Sequence, residues 1–186
     1  MPWINRRLAS VLAANEKLPL MKRSTSIFLL FFVLVVARAQ PPPALQDRFL
    51  DQFVGDWKVE RKIRNNRVVQ TSVHCDWVLK HQFIEFHYGA GDAAPDYEAF
   101  VYIGFDDAAK NYVCHWVDVF GARYSALGYG KMDEKLLNIE FHFDPKDGQL
   151  TNKFTFDPQT KTWSSLIRQV EKGEWKIFAE EKWTKQ

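Results

Sequence analysis

The sequence predicts an all-β fold: a ten-stranded antiparallel up-and-down barrel with a short N-terminal capping helix. Three observations carry this. From Asp56 the hydrophobic period is two, with Trp57, Val59, Arg61 and Ile63 on one face and the charged Asp56, Lys58, Glu60 and Lys62 on the other. Nine further apolar runs follow at about ten-residue spacing, and no segment between them is long enough for a helix. Ten strands cannot lie as an open flat sheet without unpaired edges, so the sheet is expected to close on itself.

The chain opens on a segment that belongs to targeting. Met21-Lys22-Arg23 is a basic n-region, Ile27 to Val36 is an unbroken apolar run of ten residues, and Ala37-Arg38-Ala39 places small residues before Gln40. This is the pattern of a secretory signal cleaved after Ala39, and the apolar run is half the roughly 20 residues that span a bilayer. Residues 1–20 lie upstream of the basic n-region, which suggests Met21 as the start and the first twenty residues as an upstream extension. The expected organisation is therefore 1–39 extension plus signal (signal proper 21–39), 40–44 a Pro-rich leader, and 45–186 one barrel domain. The expected location is secreted or periplasmic, with no integral span once the signal is removed.

After the stiff Pro41-Pro42-Pro43 leader, Leu45, Phe49, Leu50 and Phe53 fall at helical spacing up to Gly55, which predicts a capping helix of two or three turns. In the first strand the all-charged face must meet water, so Trp57 and its neighbours at period two face inward. The later strands are Val68 to Leu79, Gln82 to Gly89, Tyr97 to Phe105, Tyr112 to Val119, Arg123 to Gly130, Lys135 to Phe143, Gln149 to Phe156, Thr162 to Val170 and Trp175 to Trp183. Two of their connections share one pattern. Phe105-Asp106 to Lys110-Asn111-Tyr112 and Phe156-Asp157 to Lys161-Thr162-Trp163 each place an aromatic, an Asp, three residues, a Lys, one residue and an aromatic. An Asp at that position accepts backbone N–H bonds in a tight turn, and the aromatics can meet across the strands. Lys146-Asp147-Gly148 and Glu171-Lys172-Gly173-Glu174 read as further hairpin tips. A barrel of ten strands encloses more space than its own side chains need to fill it.

Charge excludes several classes of partner. The whole chain carries 25 Lys+Arg against 23 Asp+Glu. Removal of residues 1–39 takes six of the basic and one of the acidic residues, leaving a net charge of −3. The basic pI of 8.5 thus belongs to the signal, and neither nucleic acid nor an anionic membrane has an electrostatic footprint here.

The residues also carry a family resemblance. Phe53-Val54-Gly55-Asp56-Trp57 is similar to the G-x-W opening of lipocalin-like (calycin) barrels. Tyr97-Glu98-Ala99-Phe100-Val101-Tyr102-Ile103-Gly104-Phe105-Asp106, then Lys110-Asn111-Tyr112-Val113, then Trp116-Val117-Asp118, resembles the Y-E-x-x-x-x-I-G-Y-D, K-Y-V, W-x-D pattern of the family catalogued as domain of unknown function 1579. The resemblance spans most of residues 45 to 184 and implies a ten-stranded lipocalin-like barrel, related in shape to the nitrobindin-type haem barrels, with no established activity. Those barrels ligate haem through a His on the last strands. Trp163 to Val170 and Trp175 to Trp183 hold no His, so no cofactor is carried over.

No nucleophile elbow, phosphate loop or zinc cysteine cluster occurs. With 7 Trp, 6 Tyr and 15 Phe, the chain has aromatics enough for both core and cavity wall, and Phe86, Tyr88, Tyr97, Phe100, Tyr102, Trp116, Phe141 and Phe143 are the candidates for the wall. The expected function is binding of a small apolar or amphipathic molecule in the barrel, with Arg61, Phe86, Tyr97, Tyr102, His115 and Trp116 as ligand-binding residues and no catalytic or metal residues. Arg61 is the inward charge; it needs an acidic partner, for which Glu85 and Glu98 are candidates, unless it snorkels to the mouth or meets an acidic ligand. Two alternatives stand beside this. Glu85 and His87, two apart on a strand, with His115 could build a small isomerase- or hydrolase-like site in the cavity. A solid core would instead indicate an envelope interaction module. Cys75 and Cys114, each two before a Trp, lie three strands apart; in an oxidising compartment they either pair across the barrel or sit as two buried thiols.

Overall fold

The computed structural model of the chain describes residues 41–143 and 149–186. Ten strands run in order: β1 (Gly55–Ile63), β2 (Val68–Val78), β3 (Phe83–Tyr88), β4 (Ala99–Asp106), β5 (Asn111–Asp118), β6 (Ala126–Asp133), β7 (Asn138–Phe143), β8 (Leu150–Asp157), β9 (Thr162–Glu171) and β10 (Glu174–Lys185). Each pairs antiparallel with its neighbours in sequence, and β10 returns to β1, so the sheet is a closed barrel. The strand edges differ from the expected ones by one to three residues, mostly where Gly, Asp or Lys begins a turn. The signal segment and the Lys146-Asp147-Gly148 hairpin tip lie outside the described residues.

The alternation in β1 is as the sequence predicts: Trp57 and Val59 are buried, Asp56, Lys58, Glu60 and Lys62 are exposed. The segment expected to hold two or three helical turns carries a four-residue 3-10 helix, Leu50–Phe53. Asp47 starts it, its Oδ1 accepting the backbone N–H of Phe49 at 2.9 Å and of Leu50 at 3.0 Å. At its far end the carbonyls of Gln52 and Phe53 accept the indole N–H of Trp163 at 3.2 Å and of Trp57 at 2.6 Å. Two tryptophans thus meet the otherwise orphaned carbonyls of a short helix and pin it across one end of the barrel.

The helix brings Phe53 into that end as a plug. Its ring stacks on Trp163 with centroids 3.6 Å apart and lies 4.7 Å from Phe86 and 5.6 Å from Phe154. Trp183 closes against Phe86 and Phe154 at 5.7 and 6.0 Å. All five of these residues are almost fully excluded from solvent, so this half of the barrel is solid aromatic core.

The two hairpins with a shared pattern fold alike. Asp106 Oδ1 accepts the N–H groups of Ala108 and Ala109, and Asp157 Oδ1 those of Gln159 and Thr160. The aromatic pairs that flank them meet, Phe105 with Tyr112 at 5.1 Å and Phe156 with Trp163 at 4.9 Å. A third copy joins β6 to β7, where Asp133 Oδ1 accepts from Lys135 and Leu136. In all three the fourth residue after the Asp, Lys110, Leu137 or Lys161, has a positive φ of 47–53°.

Candidate functional site

Opposite the aromatic plug the described residues leave the barrel open. This end is formed by the C-terminal ends of β1, β3, β5, β7 and β9 and the N-terminal ends of β2, β4, β6, β8 and β10, because every strand is antiparallel to the next. A cavity of about 450 Å³ occupies it, walled by Trp116, Ala126, Phe143, Leu150, Ile167 and Phe178, with Phe120, Arg123 and Tyr124 of the β5–β6 connection at its rim. Phe178 owes its place to a bulge: the register of β10 on β9 shifts between Ile177 and Ala179, which leaves Phe178 unpaired and turned to the mouth. A larger depression, about 680 Å³, lies outside the barrel between Asp56, Ser72, His74 and Ala90 to Ala93. It lacks the apolar walls of a small-molecule site, whereas the barrel cavity has both these and the enclosed position.

The polar floor of the cavity is built on Arg61. Register places Arg61 of β1 directly opposite Glu181 of β10, and Arg61 Nε donates to Glu181 Oε1 at 2.6 Å, with Nη2 also against that oxygen. Glu181 has no exposed side-chain surface; its second oxygen accepts from Trp183 Nε1 at 3.0 Å and from the Tyr88 hydroxyl at 3.5 Å. Arg61 also lies over the rings of Tyr97, at 4.9 Å, and Tyr88, at 5.4 Å. Tyr97 in turn donates to Asp118 Oδ2 at 3.3 Å and accepts from Trp116 Nε1 at 3.1 Å. Burial, opposed by Arg61 and reinforced by Asp118, pushes the Tyr97 phenol up to about 12. The Tyr88 phenol is also held well above its ordinary value, first by burial and then by Glu181. For Arg61 itself burial works against the charge, but Glu181 and the two tyrosines outweigh it and hold the guanidinium firmly protonated.

The sequence-predicted residues divide by position. Arg61 and Trp116 line the cavity. Tyr97, just before β4, touches both without lining it. Phe86 points inward but lies in the aromatic plug, below the cavity, because the 3-10 helix drives Phe53 onto it. Tyr102 and His115 are corrections: both face outward, opposite one another across β4 and β5, where buried Val101, Ile103 and Cys114 take the inner face. Of the wider aromatic set, Phe143 lines the cavity, Phe141 is core, and Phe100 is outside, its ring stacked on His87 at 4.3 Å. Glu85 and His87 are outside too. His87 Nε2 meets Glu98 Oε1 at 3.2 Å on that outer face, so Glu85, His87 and His115 do not form a site within the cavity.

The partner of Arg61 is likewise corrected, from Glu85 or Glu98 to Glu181: those two belong to the outer face, and only closure of the first strand on the last supplies an inward carboxylate. Cys75 and Cys114 are both buried and free, and burial raises both thiols. Sequence reasoning missed Asn152, Phe178 and Asp118. Asp118 ends an apolar strand with a carboxylate at its mouth, a signal that was present; Asn152 follows Thr151 in a strand with no clean alternation. Among the described residues no group of three or more His, Cys, Asp or Glu could hold a metal ion, and no helix is long and apolar enough to cross a membrane. Neither a scan of protein-family models nor a search of curated proteins gives a match to this chain.

Proposed function

We propose that the protein binds a small, largely apolar molecule reversibly in the open half of its barrel, and that it does so after export, as a secreted or periplasmic carrier of lipocalin-like type. The observation that carries the reading is the cavity of about 450 Å³ with predominantly apolar walls in a barrel whose other half is solid. That volume falls in the roughly 300–1,000 Å³ range of small-molecule sites, which combine apolar walls with a few placed polar groups. Transfer of an apolar body from water onto Trp116, Phe143, Leu150, Ile167 and Phe178 would drive binding, while Arg61, fixed against Glu181, would orient a polar end. The signal-like segment ending at Ala39 supports export.

The test is native mass spectrometry of the protein from its own source, followed by denaturation and identification of what is released. A stoichiometric small molecule on a chain beginning at Gln40 is the expected result. An empty protein that also fails to take up apolar probes added in excess would overturn the carrier reading.

A further inference from the structure

We propose that the cavity selects a neutral amphiphile whose polar end is a hydrogen-bond acceptor, such as a ketone, ester or amide carbonyl, and discriminates against a carboxylate of the same shape. This rests on the carrier reading above and names the ligand class it takes. Two buried donors around the cavity have no hydrogen-bond partner: Nη2 of Arg61, which touches Glu181 Oε1 without the geometry of a bond, and Nδ2 of Asn152. Asn152 is 1% exposed and lines the cavity. Its orientation is fixed from behind, since Oδ1 accepts the Ser165 hydroxyl at 2.8 Å and so leaves the NH₂ group as the free end. A buried donor without an acceptor costs about 1–3 kcal/mol, so a ligand oxygen that reaches these N–H groups gains affinity that a hydrocarbon does not.

Charge decides which kind of oxygen. The Arg61 guanidinium is already balanced by Glu181, whose side chain is fully buried behind it. The other charged groups that line the cavity, Asp118 and Arg123, are of opposite sign. A carboxylate placed on Arg61 Nη2 would therefore sit as a second anion beside Glu181 with no uncompensated cation to meet it, in a region where charges are poorly screened. A carbonyl oxygen accepts the same N–H groups and adds no charge. The remaining polar atoms near the floor are engaged with one another: Tyr97 with Asp118 and Trp116, and Tyr88 and Trp183 with Glu181. Gln169, which also lines the cavity, is a neutral amide that serves a carbonyl as well as a carboxylate and supplies no charge to favour the anion.

The test is equilibrium dialysis of the mature chain at neutral pH against three probes of nearly equal shape: acetylnaphthalene, naphthoate and ethylnaphthalene. The expected order places acetylnaphthalene about ten-fold or more tighter than either of the others, and Asn152→Leu reduces the ratio of ketone to ethylnaphthalene affinity toward one. The pair substitution R61M/E181Q, which removes the cation and the buried anion together, should reduce the ketone's advantage in the same way and serves if N152L does not fold. Naphthoate binding as tightly as the ketone would overturn the proposal, because the cavity would then accept net charge. Equal binding of ketone and hydrocarbon would also overturn it while leaving the carrier reading in place. Failure of all three to bind would remove both.

Discussion

Arg61 and Glu181 form an ion pair in a barrel interior that is nearly closed to water, with side-chain exposures of 13% and 0%. What such a pair does for stability depends on whether it is removed whole or by halves. Glu181→Gln leaves the guanidinium buried without its counter-charge and should cost about 3–5 kcal/mol in urea denaturation, whereas R61M/E181Q should recover most of that loss. Additive losses in the double variant would mean that the two groups do not sense each other. The same cluster fixes an alkaline limit. Tyr97 titrates near 10 when unfolded and at about 12 when folded, so its contribution is fully present below pH 10 and falls as pH rises through 12, because the unfolded chain gives up the proton first. Tyr97→Phe should therefore flatten the loss of stability between those limits, as read by denaturation midpoints across the range. That Arg61 faces inward was legible from three residues of alternation. Its partner was not, since the pairing joins positions 120 apart in the chain through a register that only ring closure defines.

At the scale of elements, β6 shows how backbone space shapes the cavity. A Cβ at Gly128 would come within 2.5 Å of the Phe143 ring, and one at Gly130 within 2.6 Å of the Glu140 carbonyl oxygen. The first obstacle is a side chain at the open mouth, the second is the backbone of the paired strand. Gly130→Ala should thus cost about 1–3 kcal/mol and Gly128→Ala less, with the Phe143 ring displaced toward the cavity and probe binding weakened. Equal losses of stability would contradict this difference in what can give way. The Asp-anchored turns make a converse case. Lys161 is exposed and held at φ 53°, a region where a side chain costs energy, so Lys161→Gly should gain up to about 1 kcal/mol in thermal or urea unfolding. The sequence showed two of these turns because their aromatic flanks repeat; the third has Met132 and Ile139 there and Leu137 in place of the Lys, and only the Asp remained as a sign. β4 carries no such mark. Ala99-Phe100-Val101-Tyr102-Ile103 is apolar on both faces, so parity could not decide between Tyr102 and Ile103, and the choice fell on the aromatic that faces out.

The unit from Pro43 to Gln186 is a barrel divided along its axis, with a 3-10 helix and stacked aromatics filling one half and an apolar cavity in the other. Strand count, alternation and the need to hide edges were enough to predict closure. The position of the cavity was not legible, because it depends on which inward residues the N-terminal segment covers: Phe53 fills the space around Phe86, and among the described residues no equivalent enters above Arg61. This division allows binding and folding to be separated. Ala126 lines the cavity beside Trp116, its register partner on β5, at the end away from the plug, so Ala126→Trp should fill the void from a position that touches neither the plug nor the ion pair. The expected result is loss of probe uptake with an unchanged far-ultraviolet spectrum and a melting temperature equal to or above that of the parent, since a filled cavity adds contacts on the folded side. In the parent, a bound probe should raise the melting temperature with its concentration by mass action, and in the variant that dependence should vanish. A variant that still melts higher with added probe would place binding elsewhere on the molecule, with the polar depression beside His74 the next surface to examine.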